Sequence, residues 1–374
     1  MGDTIDDVEY GGCFYYWQAY KYTCSSYCRN RRLYCVDFNL FFYQLRNGLE
    51  QMNEKERFDK MNIDELNPGQ KATGFINIEG TDVMFPVTVI VGYEKGRTLL
   101  ITGGVHSAEY VGIQAAIELS QEITPEVIKG KVIIAPLLNV TGFTNRTMSL
   151  VYEDQKNLNR EFPGSVEGTL TEKLAATVVK ELHKKADFYI DLHCGDGYET
   201  LTPYVYYPGM ATDEVVQKSL EMAKCVHVPY RVKSGTASGG SYNYAASCGI
   251  PSILLERGQC GIWTEKEVLE DKEDVYRIMD TLGFSNFGIE NHSFEQREVT
   301  DVRYPEVPIS GCWYPRFEVG NIFKKGDLIG TIKNYFGEIL YEYYADMDGV
   351  ILYQVASLTV IKDGPLVAYG HIID

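Results

Sequence analysis

The chain has 374 residues, 45% hydrophobic and 23% charged, enough for one large domain and a smaller one. Its formal net charge of −17 argues against nucleic acid as a partner, because such binding rests on Lys and Arg neutralising phosphates. No apolar run has the length of a bilayer span, and the start, Met1-Gly2-Asp3-Thr4-Ile5-Asp6-Asp7, lacks the basic and apolar segments of a secretion signal. A cytoplasmic protein without a membrane partner is therefore expected.

Residues 1–60 stand apart as an aromatic- and Cys-rich extension of unknown role. They hold Cys13, Cys24, Cys28 and Cys35 and show no period of 2 or 3.6. Cys24 and Cys28 have a metal-compatible spacing, but no matching pair of Cys or His follows at zinc-finger distance. The other five cysteines are scattered singly and read as reduced thiols.

From about residue 70 the pattern becomes regular. Residues 83–91 and 97–102 are apolar, β-branched runs of strand length, and Gly103-Gly104 breaks the second. Helical spacing follows over 107–122, then a strand over 131–138. Thr169 or Thr171 can cap a helix running to His183, with Glu172 in its first turn. Residues 187–192 form a strand ending at His193. Helix 211–225, strand 251–256 and helix 265–282 complete the run. Beyond residue 296 the helical signal gives way to short strands with Gly or Pro turns.

This order predicts an α/β fold, with a mostly parallel or mixed sheet, helices on both faces and a small C-terminal all-β domain. The domains are placed at 61–295, the catalytic region, and 296–374. In such sheets ligands bind beyond the carboxyl ends of the strands.

Four motifs fall at strand ends or in the loops that follow. His106-x-x-Glu109 follows the strand 97–102. Asp191-x-His193 ends the next. Two His and one Glu form the open ligand set of a hydrolytic zinc site, with a position left for water. Glu256 ends strand 251–256 and can carry a proton from water to a leaving amine. Asn157-Leu158-Asn159-Arg160 offers an amide and a guanidinium to a substrate carboxylate, and Arg146 can place a second cation nearby. Asp191 shares a strand face with His193 and can orient its imidazole. Singly, each has an ordinary structural explanation; their order at successive strand ends is what points to a site. His183, His227, His292 and His371 have no partner motif and are assigned no role.

These motifs resemble the succinylglutamate desuccinylase/aspartoacylase family of the zinc carboxypeptidase superfamily, from about Gly74 to the C-terminus. The resemblance implies one Zn2+ per chain on His106, Glu109 and His193, Glu256 as general acid/base, and Asn159 and Arg160 on the carboxylate of a small-molecule substrate. Arg146 would polarise the scissile carbonyl. The C-terminal part would be a barrel-like domain that narrows the channel, and its Asp348-Gly349 turn has no Lys to carry a cofactor. The implied activity is amide hydrolysis of an N-acyl amino acid. A peptide-trimming carboxypeptidase and a non-catalytic metal-binding relative are the alternatives, and a homo-oligomer is compatible with either. Asn157 replaces the family's Asp behind a ligand His, which lowers the expected metal affinity or water activation. Met148 replaces an Arg found in some relatives, which leaves a second substrate carboxylate without a partner.

Overall fold

The computed structural model describes residues 60–289 and 294–373. The aromatic N-terminal segment, with its Cys24/Cys28 pair, and His292 lie outside that range. The chain begins with strands β1 (Lys71–Asn77), β2 (Met84–Val91) and β3 (Glu94–Gly103). Helix α1 (Tyr110–Glu122), β4 (Lys129–Ala135) and the short α2 (Val140–Asn145) follow. Next come α3 (Leu170–Glu181), β5 (Phe188–His193), β6 (Glu199–Leu201), β7 (Tyr204–Pro208) and α4 (Asp213–Ala223). Then come β8 (Tyr230–Ser234), α5 (Ser241–Ser247), β9 (Ser252–Glu256) and α6 (Glu265–Thr281). The remaining strands are β10 (Arg297–Arg303), β11 (Gly311–Pro315), β12 (Ile322–Phe323), β13 (Leu328–Lys333), β14 (Ile339–Tyr344), β15 (Gly349–Val355), β16 (Thr359–Val360) and β17 (Val367–Ile373).

The expected strands and helices form within a few residues of their sequence bounds, and the departures have local causes. The first helix begins at Tyr110, three residues later than its apolar spacing suggests. Ser107 and Ala108 donate their N–H groups to the Met148 carbonyl, at 2.9 and 3.2 Å, and form a turn. Glu109 is the residue before the helix and spends its carboxylate elsewhere. Helix α3 is capped at Thr169, whose N–H donates to the Glu172 carboxylate at 2.8 Å. It ends at Glu181, so His183 lies in a separate 3-10 turn and is buried.

The large sheet is mixed, with thirteen strands. β4, β3, β5 and β9 run parallel at its centre, and β7 joins β9 antiparallel. Residues along β3 alternate between two cores. Leu99 and Ile101 pack in one with residues of α1, α4 and α6; Leu100 packs in the other with residues of α3 and α5. Helices therefore cover both faces. The β-rich C-terminal stretch divides its strands. β10, β17, β15 and β12 extend the large sheet beyond β8, and β14, β13, β11 and β16 form a separate four-stranded sheet. The short β6 pairs with β15, which draws the C-terminal stretch over the end of the central strands. Among the described residues no helix is long and apolar enough to cross a membrane.

Candidate active site

The central strands bring their last residues together. β3 ends at Gly103, and Gly104 turns the chain with φ +62°, where a Cβ would lie 2.7 Å from Leu137 Cδ1. That turn delivers His106 and Glu109. His193 is the last residue of β5, Glu256 the last of β9, and the parallel register sets these two directly opposite.

His106 Nδ1 lies 2.6 Å from Glu109 Oε1, and His193 Nδ1 lies 2.7 Å from Glu109 Oε2. The two rings are nearly perpendicular, with centroids 5.1 Å apart. His193 and Glu109 are buried, and His106 is only slightly exposed.

The opposite nitrogens settle the tautomers. Asn157 Oδ1 accepts from Asn159 N–H at 2.8 Å, so it is the amide oxygen that faces His106 Nε2 at 3.0 Å. His106 therefore carries its proton on Nε2. His193 Nε2 faces the Asp191 carboxylate at 3.2 Å, with the same consequence. Both Nδ1 lone pairs then point at one carboxylate, an arrangement that needs a cation or extra protons between them. Burial disfavours the His193 imidazolium, but Glu109 and Asp191 overcome it and drive its pKa well up. Burial likewise raises Glu109, yet His193 and His106 hold it down at about 2. Two imidazoles and a carboxylate whose ligating atoms all lie within 4.8 Å fit a divalent transition metal.

Behind the site runs a buried chain of hydrogen bonds whose direction can be read from one end. Thr102 Oγ1 donates to Asp191 Oδ1 at 2.7 Å, so it accepts from the Tyr189 hydroxyl, also at 2.7 Å. Tyr189 in turn accepts from Ser241 Oγ at 2.7 Å, and Ser241 accepts from His183 Nε2 at 3.2 Å. Burial holds His183 down at about 4 despite the pull of Asp191, so it is a neutral donor. Ser241 N–H also donates to Asn159 Oδ1 at 2.8 Å, which joins the metal side of the site to Asn159.

Glu256 faces the same cavity. Burial, then the Glu109 charge, raises its carboxyl well above the usual range, and Oε2 is buried without a partner. Its neighbour Arg257 turns the other way, into a buried cluster with Asp271 and with Asp274 at 2.5 Å on α6. The cavity has a volume of about 430 Å3 and includes Asn159 and Arg160 in its lining. Arg146 does not line it; it is exposed at the end of α2, with φ +57°.

Several lining residues carried no motif. Tyr304, Glu306 and Tyr353 come from the C-terminal stretch, Tyr204 from β7, and Glu199 from β6. Tyr189 had a legible signal, since it shares the period-2 face of Asp191 and His193. Ser241 and His183 had none, because their roles depend on α3 and α5 packing beside β5.

The sequence model of the succinylglutamate desuccinylase/aspartoacylase catalytic domain matches residues 95–282. The chain is 38% identical over 152 residues to an N-alpha-acetyl-L-2,4-diaminobutyric acid deacetylase of Halomonas elongata. That match spans 40% of this chain and 43% of the relative, less than half of its length. The fold is similar to the product-bound ectoine utilization protein EutE of Ruegeria pomeroyi. The TM-score is 0.74 at 24% identity, over 83% of this chain and 97% of the other. A succinylglutamate desuccinylase/aspartoacylase from Rhodobacter sphaeroides gives a TM-score of 0.72 at 23% identity, over 84% and 99%. At these identities the two structures establish the fold alone.

Proposed function

The chain belongs to the succinylglutamate desuccinylase/aspartoacylase family, and from that premise we propose that it is a zinc-dependent hydrolase of N-acyl amino acids. The observation that carries the reading is the convergence of two imidazole Nδ1 atoms on the Glu109 carboxylate, with Glu256 beside His193 in register. His106, Glu109 and His193 would hold the metal. A bound zinc ion would supply Lewis acidity, making water a better nucleophile and the amide carbonyl a better electrophile.

Glu256 takes the proton from the attacking water and delivers it to the leaving amine. Its burial without a hydrogen-bond partner suits a group that must change protonation state during the reaction. Arg160, exposed to the cavity, and the amide of Asn159 hold the substrate carboxylate. Ser241 fixes the Asn159 amide by donating its backbone N–H to Oδ1, which leaves the –NH2 free to donate to the substrate. Asp191 and Asn157 keep His193 and His106 in the tautomer that offers Nδ1 to the ion.

The size and walls of the cavity favour a small acylated amino acid over a peptide. Its volume of about 430 Å3 falls in the ~300–1,000 Å3 range of small-molecule sites, and C-terminal residues Tyr304 and Tyr353 form part of its wall. The Halomonas relative's named substrate, N-alpha-acetyl-L-2,4-diaminobutyric acid, heads the panel to assay, beside N-acetyl-aspartate and N-succinyl-glutamate.

Metal content by mass spectrometry, wild type beside His193→Ala, tests the reading. About one zinc per chain, lost in the variant, is expected. A wild type that takes up no zinc when it is supplied would instead make the protein a non-catalytic relative.

A further inference from the structure

Behind His193 lies a carboxylate sealed from water. Asp191 is fully buried, and among the described residues its ion-pair partner is His193, whose Nε2 faces Oδ2 at 3.2 Å. A buried carboxylate keeps one orientation only if donors fix its other oxygen. Two hydroxyls are placed to do so. Thr102 Oγ1 donates to Asp191 Oδ1 at 2.7 Å. The Tyr189 hydroxyl lies 2.7 Å from Thr102 Oγ1 and also reaches the Asp191 carboxylate.

The sequence around these hydroxyls is apolar. Leu99, Leu100 and Ile101 precede Thr102 on β3, and Phe188 and Ile190 flank Tyr189 on β5, all of them buried. Val and Phe would fill the same space, and a buried hydroxyl gains nothing there unless it is bonded. The parallel register pairs Thr102 with Asp191, and the period of two puts Tyr189, Asp191 and His193 on one face of β5. From α5, Ser241 Oγ holds the Tyr189 hydroxyl at 2.7 Å, and His183 Nε2 holds Ser241 at 3.2 Å. Thr102, Tyr189, Ser241 and His183 are all buried, so bulk solvent does not reach them. This run of donors ends on one charged group, Asp191, and each bond polarises the next toward it.

We propose that Thr102 and Tyr189 are positioning residues for the metal ligand His193. Their hydroxyls fix Oδ1 of Asp191, which leaves Oδ2 to hold the imidazole with Nδ1 turned toward Glu109. This rests on the zinc-hydrolase reading above. Neither residue is part of the cavity lining. Loss of the Thr102 hydroxyl strands Oδ1 among apolar side chains. The carboxylate then turns to share the His193 N–H, and the ring is no longer set in advance for the ion.

The test is the zinc affinity of the full chain, measured by competition with a chromogenic chelator, in the wild type, Thr102→Val, Thr102→Ser and Tyr189→Phe. Thr102→Val keeps the shape and removes the hydroxyl, and it is expected to weaken zinc binding about 10–100-fold. Thr102→Ser returns the hydroxyl and is expected to stay within about threefold of the wild type. Tyr189→Phe is expected to lose about 3–10-fold. Cobalt loaded in place of zinc gives a second readout, since its visible absorption bands should move in Thr102→Val and return in Thr102→Ser. Melting midpoints of the metal-free proteins are measured alongside. Unchanged zinc affinity in Thr102→Val or in Tyr189→Phe overturns the proposal while the hydrolase reading stands, whatever the midpoint does. A Thr102→Ser protein that loses as much as Thr102→Val also overturns it, because the hydroxyl is then not the cause. If Thr102→Val fails to fold, Tyr189→Phe decides by the same comparison. A wild type that takes up no zinc ends the hydrolase reading and the proposal together.

Discussion

The floor and the wall of the cavity are built on different terms. The floor consists of His106, Glu109, His193 and Glu256 at the ends of adjacent parallel strands or in the turn that follows. Asn157 faces the far side of the His106 ring and the buried Asp191 that of His193, while Glu256 Oε2 is buried without a partner. The wall consists of Tyr304, Glu306 and Tyr353 from the C-terminal stretch and Glu199 on the short β6. The Tyr304 hydroxyl meets Tyr206 at 2.8 Å, and the Glu199 carboxylate takes a backbone hydrogen bond from Asp196. A rigid floor suits bond cleavage, which depends on placement. A wall of tyrosines and carboxylates lining the cavity suits recognition.

Substitutions ordered by effect sharpen or break this contrast. Glu256→Gln is expected to lower kcat by roughly 10²–10⁴-fold while zinc stays bound. Activity near wild type in that variant would remove Glu256 from proton transfer. Arg257→Met strands Asp271 and leaves Asp274 with Arg277 and the His227 N–H, so a stability loss of about 3–5 kcal/mol is expected in denaturant melts. An unchanged midpoint would show that the floor does not depend on this cluster. Arg160→Met is expected to cost about 10–100-fold in kcat/KM, mainly through KM, for substrates with a free carboxylate. Equal losses on a carboxamide analogue would place Arg160 outside recognition. Asn157→Asp puts a charge behind His106 and is expected to tighten zinc binding about tenfold in chelator competition. Tyr353→Phe removes one neutral hydroxyl from the wall and is expected to change KM about threefold, with kcat nearly constant. A large fall in kcat there would mean that the wall takes part in the chemistry.

The legibility of the two regions in the sequence follows the same line. His106, Glu109, His193 and Glu256 could be read because each sits at a strand end in a short motif, and parallel strands bring such ends together. Asn157 and Asp191 were legible as supports, and the structure adds which ring each one faces. Arg146 was equally visible as a charge near the motifs, yet the left-handed turn that ends α2 leaves it exposed, off the cavity lining. His183 read as one more polar helical residue. It lies buried against Phe162, with ring centroids 5.7 Å apart, and donates the first bond of a chain that reaches Asp191.

By itself the sequence determined the alternation of strands and helices, the His106, Glu109 and His193 cluster and the Glu256 carboxylate beside it. Each is a local pattern, set by side-chain period, by a turn or by the spacing of residues that chemistry requires close together. Only the tertiary structure decided that β10, β15 and β17 would extend the large sheet and that Tyr353 and Glu199 would share a cavity with Arg160. Strand pairing across some 150 residues is set by burial and backbone hydrogen bonding summed over the whole sheet, and no short stretch of sequence carries that sum.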